Sequence, residues 1–326
     1  MEPLLEIRGL RTHFASPRGP VKVLDGLDLS VEPGKILGLV GESGSGKTVT
    51  AYSVLRLIRP PGRIVGGDVL FEGRNLLGLS ESEMRSVRGR EISMIFQDPR
   101  GFLDPVTRVG SLMREIHRTH ESMSREEARR RSLEMLQAVG LPRPDRVLRA
   151  YPHELSGGMA QRVMIALSLA SKPKLLIADE PTTALDVTIQ IEIIRLLADL
   201  RERLGLTIVI ITHNLSVVAE ICDVVAVMYA GEIVELAPAV EIFERPRHPY
   251  TVSLLKARPT LTPGERLADI PGQIPDLLAP PPACRFEPRC FLAQSICTEV
   301  APELREIARD HRSRCHFAER LAEEAA

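Results

Sequence analysis

Eight residues constrain this chain more than any others. GESGSGKT, Gly41 to Thr48, follows the apolar run KILGLV and opens the apolar pattern VTAYSVLRLI. A strand that ends in such a loop and passes into a helix lets backbone N–H groups converge on phosphate oxygens, with the helix dipole adding its field. Gly41, Glu42, Ser43, Gly44, Ser45 and Gly46 form the cradle; Lys47 reaches the β- and γ-phosphates and the Thr48 hydroxyl ligates Mg²⁺. A glycine-rich turn that binds nothing is the competing reading, and the match of all eight positions within a strand–loop–helix context weighs against it.

Patterning around the loop predicts an α/β protein. LLEIRGL, VKVLDGLDLSV and GDVLFEG are short and bounded by Gly or Pro, which predicts an antiparallel β lobe. The runs KILGLV, ISMIF, LLIAD and LTIVIIT are continuously apolar and alternate with polar loops or helical pattern, as in a parallel sheet covered on both faces. Between about 108 and 170 the pattern turns helical. Ser124 with Glu127 makes a capping box, apolar residues recur at Leu133, Leu136 and Val139, and Gly140 closes that helix.

Composition narrows the class. With 42 basic and 43 acidic residues the formal charge is −1, so no strong field favours nucleic acid. No stretch approaches the length of a membrane span, and the N-terminus MEPLLEIRGL lacks an apolar signal core. The expectation is a soluble, cytoplasmic chain with no nucleic-acid partner.

Further residues fit phosphate chemistry. LLIADE ends its apolar stretch at Asp179, placed to hold the Mg²⁺ shell, and Glu180 follows, placed to polarise an attacking water. Gln97 ends EISMIFQ, where an amide touches both Mg²⁺ and that water. LSGGM precedes the helical stretch QRVMIALSLA, so Ser156, Gly157 and Gly158 occupy a second helix N-terminus suited to phosphate. His213 ends LTIVIIT, another sheet terminus where ligands gather. Alone, His213 reads as a structural histidine and Gln97 as an ordinary polar residue; their order along the chain points to function.

That order resembles the ATP-binding-cassette (ABC) ATPases: Walker A at 41–48, Q-loop Gln97, signature at 155–159, Walker B at 175–180, D-loop Ala184-Leu185-Asp186 and switch His213. The resemblance implies a P-loop (RecA-like) parallel sheet core with an N-terminal antiparallel β lobe, an α-helical signature subdomain at about 98–170, and a nucleotide-binding domain over 1–260. It also implies ATP and Mg²⁺ as ligands and two cassettes packed head to tail, so that Ser156, Gly157 and Gly158 act in trans. Lys47, Gln97, Glu180 and His213 are the implied catalytic residues, and Mg²⁺ is held at Thr48, Gln97 and, through water, Asp179. Phe14 stands where the family often places an aromatic on adenine; core packing is the other reading. Met159 departs from the commoner glutamine of the signature, which leaves the phosphate contacts of Ser156 and the glycines untouched.

Finer resemblance lies in FQDPRGFLDP, EPTTALDVTIQ, RPRHPYTVSLL and IPGQIPDLLAPPPACRFEPRC, which are similar to segments of the ATPase subunits of oligopeptide/dipeptide importers. Phe102 and Asp104 replace the more usual Ser and Asn. The resemblance implies an ATP-hydrolysing subunit that powers peptide import from the cytoplasmic face of the membrane. Its implied partners are a second ATPase subunit, two transmembrane permeases and an extracytoplasmic peptide-binding protein. Related members carry nickel or opines. Soluble cassettes of DNA repair or translation form the alternative class, weakened because one copy of each motif is present and no long coiled coil lies between Walker A and Walker B.

The last segment, 261–326, is expected to be a proline linker followed by a cysteine-rich region. Pro271, Pro275, Pro280, Pro281 and Pro282 predict a stiff, extended stretch over 271–282. Cys284, Cys290, Cys297 and Cys315 follow, while Cys222 is assigned to the core. In a cytosolic chain clustered cysteines read as metal ligands before disulfides. Four thiolates suit an Fe–S cluster or Zn²⁺, and four free buried thiols are the bland reading. The importer resemblance implies a [4Fe–4S] cluster, with Zn²⁺ as the alternative.

Overall fold

The computed structural model describes residues 2–120, 123–257 and 270–323. The expected domain boundary at 260/261 lies outside the described residues. The strands, in chain order, are β1 (Leu5–Ser16), β2 (Gly19–Val31), β3 (Ile36–Val40), β4 (Gly62–Phe71), β5 (Arg74–Asn75), β6 (Ile92–Ile95), β7 (Leu175–Asp179), β8 (Thr207–Thr212), β9 (Val224–Tyr229), β10 (Glu232–Pro238), β11 (Arg305–Ala308) and β12 (His311–Ser313). The chain divides into two compact units, residues 1–77 with 212–326, and residues 78–211.

The first unit holds the antiparallel lobe, in the order β2-β1-β4-β5. Strand β1 pairs with β2 from Leu5↔Val31 to Ser16↔Gly19 and with β4 from Leu5↔Phe71 to Phe14↔Gly62. Leu5, Ile7 and Leu10 are buried along it, the one-sided pattern of a half-covered sheet. The same unit holds β3, all five of whose residues are buried, as a continuous apolar run requires. β3 pairs in parallel with β9, and β9 pairs antiparallel with β10. Sequence patterning missed β9 and β10. The run AEICDVVAVM divides at Cys222 between the end of helix Leu215–Ile221 and β9, and a short apolar run does not say which.

The C-terminal region differs from expectation. Residues 271–282 form no helix or strand, as the prolines dictate, yet they are packed rather than a free spacer. Lys22 N–H donates to Leu277 O at 2.8 Å, and Ile274 and Leu277 pack against the apolar cluster of the unit. Beyond them β12 pairs with β10 through Glu235↔Ser313 and Leu236↔Arg312, and β11 pairs with β12. Phe286 is fully buried against Tyr229 and Tyr250, with ring centroids 5.2 and 5.4 Å away in edge-on geometry. A buried pair, His311 Nε2 with Glu235 Oε1 at 2.7 Å, fastens β12 to β10, and Arg247 N–H donates to the same oxygen at 2.5 Å. The cysteine-rich segment therefore contributes core to the first unit.

The second unit contains the parallel ladder β6-β7-β8, with Ile92↔Leu175 and Leu175↔Thr207 in register. Its helices include Val109–His120, Arg125–Ala138, Pro144–Arg149, Gly157–Leu169 and Val187–Leu204. Ser124 caps the second of these, its Oγ accepting from Glu127 N–H at 3.2 Å. The Glu127 carboxylate accepts from Arg131 at 3.1 Å. Leu136 and Val139 are buried, as the helical spacing predicts.

Candidate functional site

In the first unit the apolar run β3 ends at Val40 and helix Lys47–Val54 begins after the six-residue loop 41–46. Two glycines make the intervening loop possible. At Gly41, φ is +151° and a Cβ would strike Met228 O; at Gly46, φ is +107° and a Cβ would lie 2.8 Å from Met228 Cε and 2.9 Å from Leu24 Cδ2. Gly46 is also the N-cap, so the helix begins without a side-chain cap on its amides. Gly231 N–H donates to Ser45 O at 2.9 Å, tying the loop to the turn after β9.

Lys47 is buried. Its ammonium donates to Gly41 O at 2.8 Å, Glu42 O at 2.9 Å and Ser45 Oγ at 3.4 Å, so it rests on the loop that it would serve. Glu42 N–H donates to the Tyr250 hydroxyl at 2.8 Å. The Glu42 carboxylate receives both terminal nitrogens of Arg289, at 2.8 and 3.1 Å. Burial pushes the Tyr250 phenol up from its ordinary range, so this hydroxyl stays neutral. Tyr250 is presented by helix Pro249–Lys256, whose cap is His248: its Nδ1 accepts from Tyr250 N–H at 3.1 Å. Burial pushes His248 down to about 3, which keeps that nitrogen an acceptor. Phe14, on β1, is half-buried, its ring against Gly62 of β4. His213 lies one residue beyond β8 and is exposed.

The second unit gathers the other candidates. Asp179 is buried at the end of β7. Glu180 follows with φ +46°, a left-handed conformation that costs a non-glycine residue about 1 kcal/mol or more. Its N–H donates to Ile211 O at 2.8 Å, which holds the turn. Thr183 Oγ1 donates to Glu180 Oε2 at 2.7 Å and Gln97 Nε2 donates to the same oxygen at 3.1 Å. The Q-loop amide and the Walker B carboxylate, 83 residues apart in sequence, are thus joined. Ser156 caps helix Gly157–Leu169, its Oγ accepting from Met159 N–H at 3.3 Å, so Gly157 and Gly158 form the first turn. Asp186 caps helix Val187–Leu204 in the same way through Ile189 N–H.

The structure thus brings Gln97 to Glu180 in one unit and Gly41, Glu42, Ser45 and Lys47 together in the other. Sequence reasoning missed Thr183, Tyr250 and Arg289. The available signal was their presence inside EPTTALDVTIQ, RPRHPYTVSLL and ACRFEPRC, segments singled out only as resemblance.

The four clustered cysteines are free thiols, and Cys222 is a fifth. Cys284 N–H donates to Cys297 O at 3.0 Å. Leu292 N–H points at Cys290 Sγ and Phe317 N–H at Cys315 Sγ, each at 3.4 Å. Burial pushes Cys290 up to about 11 and Cys315 up to about 12, and the neighbouring thiols of the cluster add repulsion. Among the described residues, no group of three His, Cys, Asp or Glu side chains stands ready to hold a metal ion. Burial also pushes Cys222 up to about 12, consistent with a core residue.

A P-loop at the end of a parallel strand, a strained carboxylate gripped by a Q-loop amide, and a serine-capped helix behind LSGGM together define an ATP-binding cassette. The comparisons agree. A profile described as ABC transporter matches residues 24–183, and one described as oligopeptide/dipeptide transporter, C-terminal region, matches residues 234–297. The chain is 51% identical to a probable peptide ABC transporter ATP-binding protein, y4tR, of Sinorhizobium fredii, over 96% of this chain and 94% of that one. It is 48% identical to the oligopeptide transport ATP-binding protein OppD of Bacillus subtilis (94% and 87% covered). It is 44% identical to the dipeptide transport ATP-binding protein DppD of Escherichia coli (96% of each). Among solved structures it is similar to the dimeric post-hydrolysis state of the ATP-binding cassette MJ0796 bound to ADP and Pi, with TM-score 0.65 and 27% identity over 72% of this chain and 98% of that one. The chain belongs to the ABC transporter ATP-binding proteins, in their oligopeptide/dipeptide branch.

Proposed function

We infer that this protein is the ATP-hydrolysing subunit that powers import of peptides across the cytoplasmic membrane. The observation that carries the reading is likeness over nearly the whole chain, the C-terminal region included, to ATP-binding proteins whose names specify peptide transport. Importers of nickel or opines are the second reading. Among the described residues no helix is long and apolar enough to cross a membrane. The proposed arrangement is peripheral: the chain docks on two transmembrane permeases, with an extracytoplasmic peptide-binding protein in the same system. A second, related ATPase completes a heterodimer, and nucleic acid is not a ligand. The proposed division is a nucleotide-binding domain over 1–260 and a C-terminal region over 261–326.

The proposed roles follow from the groups themselves. Gly41 to Thr48 cradle the ATP phosphates, Lys47 neutralises β- and γ-phosphate charge, and Phe14 meets adenine. Thr48, Gln97 and, through water, Asp179 would hold Mg²⁺, which would offset phosphate charge. Glu180 takes the proton of the attacking water. Hydrogen bonds from Thr183 and Gln97 to its Oε2 fix the carboxylate for that task. His213 stabilises the γ-phosphoryl charge, and Ser156, Gly157 and Gly158 act in trans on the nucleotide of the partner cassette. Most of the catalysis is positioning and electrostatics.

Cys284, Cys290, Cys297 and Cys315 are the proposed ligands of a [4Fe–4S] cluster, with Zn²⁺ the alternative. Four thiols match such a group in donor type alone, since among the described residues no three metal-ligating side chains stand gathered to hold an ion. When bound, it cross-links the C-terminal region. Anaerobically purified protein should be brown and lose iron in Cys290→Ser; colourless protein with stoichiometric zinc replaces iron by zinc, and metal-free protein removes the site.

The function is tested by co-expressing the chain with its permeases and second ATPase, reconstituting them in proteoliposomes, and adding the binding protein with peptide, nickel or an opine. Peptide-stimulated ATP hydrolysis with peptide uptake is expected. Stimulation by nickel or an opine alone defeats the peptide assignment.

A further inference from the structure

Arg289 belongs to the C-terminal region, in the turn Glu287–Arg289 just before Cys290, yet its guanidinium reaches the P-loop. Nη1 donates to Glu42 Oε2 at 2.8 Å and to Tyr229 Oη at 3.4 Å. Nη2 donates to Glu42 Oε1 at 3.1 Å and to Ile270 O at 3.1 Å, and Nε donates to Pro271 O at 2.8 Å. All five N–H groups of the guanidinium are thereby used. The side chain is 3% exposed, so this is a built socket rather than a surface ion pair. On the loop side, three different groups of Glu42 are engaged. The carboxylate is held by Arg289, the amide by Tyr250, and the carbonyl accepts from the Lys47 ammonium at 2.9 Å.

The C-terminal region has anchors other than Glu42. Arg285 donates to Ala230 O at 2.5 Å and pairs with Glu232 at 3.3 Å, and β12 lies on β10. The Arg289–Glu42 contact thus adds a grip on the loop to a segment already seated.

We propose that Arg289 is a positioning residue for the nucleotide: through Glu42 it holds the P-loop and Lys47 in the shape that receives phosphate, so ATP affinity depends on the seated C-terminal region. This rests on the nucleotide reading of Gly41–Thr48. The full-length chain is titrated with a fluorescent methylanthraniloyl ATP analogue in Mg²⁺, as parent, Arg289→Met, Arg289→Lys, Glu42→Gln and the Arg289→Met/Glu42→Gln double variant. Either Arg289→Met or Glu42→Gln should raise Kd about tenfold, the double variant no further than the weaker single, because both remove one coupling. Arg289→Lys should recover part of the affinity, since an ammonium keeps the charge but not the bidentate fork. In the reconstituted transporter Arg289→Met should raise KM for ATP and leave kcat within about twofold, a split that simple loss of folded protein does not produce. Parental Kd in Arg289→Met or in Glu42→Gln, or full additivity in the double variant, overturns the proposal. If Arg289→Met does not fold, Glu42→Gln decides it from the loop side. A parental chain that fails to bind the analogue overturns the nucleotide reading itself, which is a different result from a parent that binds alongside unaffected variants.

Discussion

The two compact units hold their candidate groups by different means. In the second, the partners are mostly local: Thr183 steadies Glu180, and Ser156 and Asp186 each cap the helix that begins one residue on. In the first, the P-loop is held from far along the chain, by Tyr250 at a separation of 208 residues and by Arg289 at 247. Local contacts form wherever the segment itself folds, whereas distant ones exist only once the unit is assembled and loop-closure entropy has been overcome. The second unit should therefore keep its site geometry under perturbation of the C-terminal region, and the first should not. The long bond from Gln97 to Glu180 is the exception in the second unit, and it joins the Q-loop to the residue assigned to the water.

The largest expected effect tests the locally held side. Glu180→Gln should lower steady-state phosphate release by roughly 10²–10⁴-fold while MgATP binding persists, because the fold around the turn is untouched. Turnover at the parental rate in the assembled transporter would remove Glu180 from the base role. Next comes the distant anchoring. His311→Ala takes the imidazole away from the Glu235 carboxylate, whose side chain is 0% exposed and which keeps Arg247 N–H, and should cost about 3 kcal/mol in urea unfolding. Hydrogen exchange should loosen over β10–β12 and the P-loop, with Gly157–Leu169 unaffected; equal loosening in both units would erase the contrast between them.

A smaller effect isolates a local element. Ser124→Ala removes the oxygen that accepts from Glu127 N–H and should cost about 1 kcal/mol. Amide exchange should quicken in Arg125–Ala138 alone, and spread into the first unit would contradict the division. Acidity supplies the last test. His248 titrates near 3 when folded against an ordinary 6.5, so the unfolded chain takes up its proton first as pH falls. The stability it contributes is present above about pH 6.5 and is lost progressively between there and about pH 3. His248→Asn keeps a capping acceptor and should flatten that part of the stability-versus-pH curve; an unchanged slope would show that other groups set it.

Sequence legibility follows the same divide. GESGSGKT was readable because the glycines and lysine that make a phosphate cradle are contiguous, and Ser124 and Ser156 were readable because a cap lies within three residues of its target. The buried strands β3, β6, β7 and β8 announced themselves as continuous apolar runs. Strand β9 escaped notice because its run merges with the end of the preceding helix, so period alone does not separate them. The proline segment was rightly kept out of helix and strand, but its seating against Lys22 and the apolar cluster carries no local signature.

By itself, then, the sequence determined the chemistry on offer: a phosphate loop, an acidic pair, an amide, a second helix N-terminus and four clustered thiols, each written in adjacent residues whose backbone preferences are local. Only the tertiary structure decided who holds whom. Thr183 and Gln97 meet on one oxygen of Glu180, Phe286 enters the core beside Tyr229 and Tyr250, and Arg289 finds all its acceptors around Glu42. The long-range members of that set unite groups whose sequence separation is erased by burial, and a buried guanidinium is tolerable only where folding has already gathered enough carbonyls, hydroxyls and carboxylate to satisfy it.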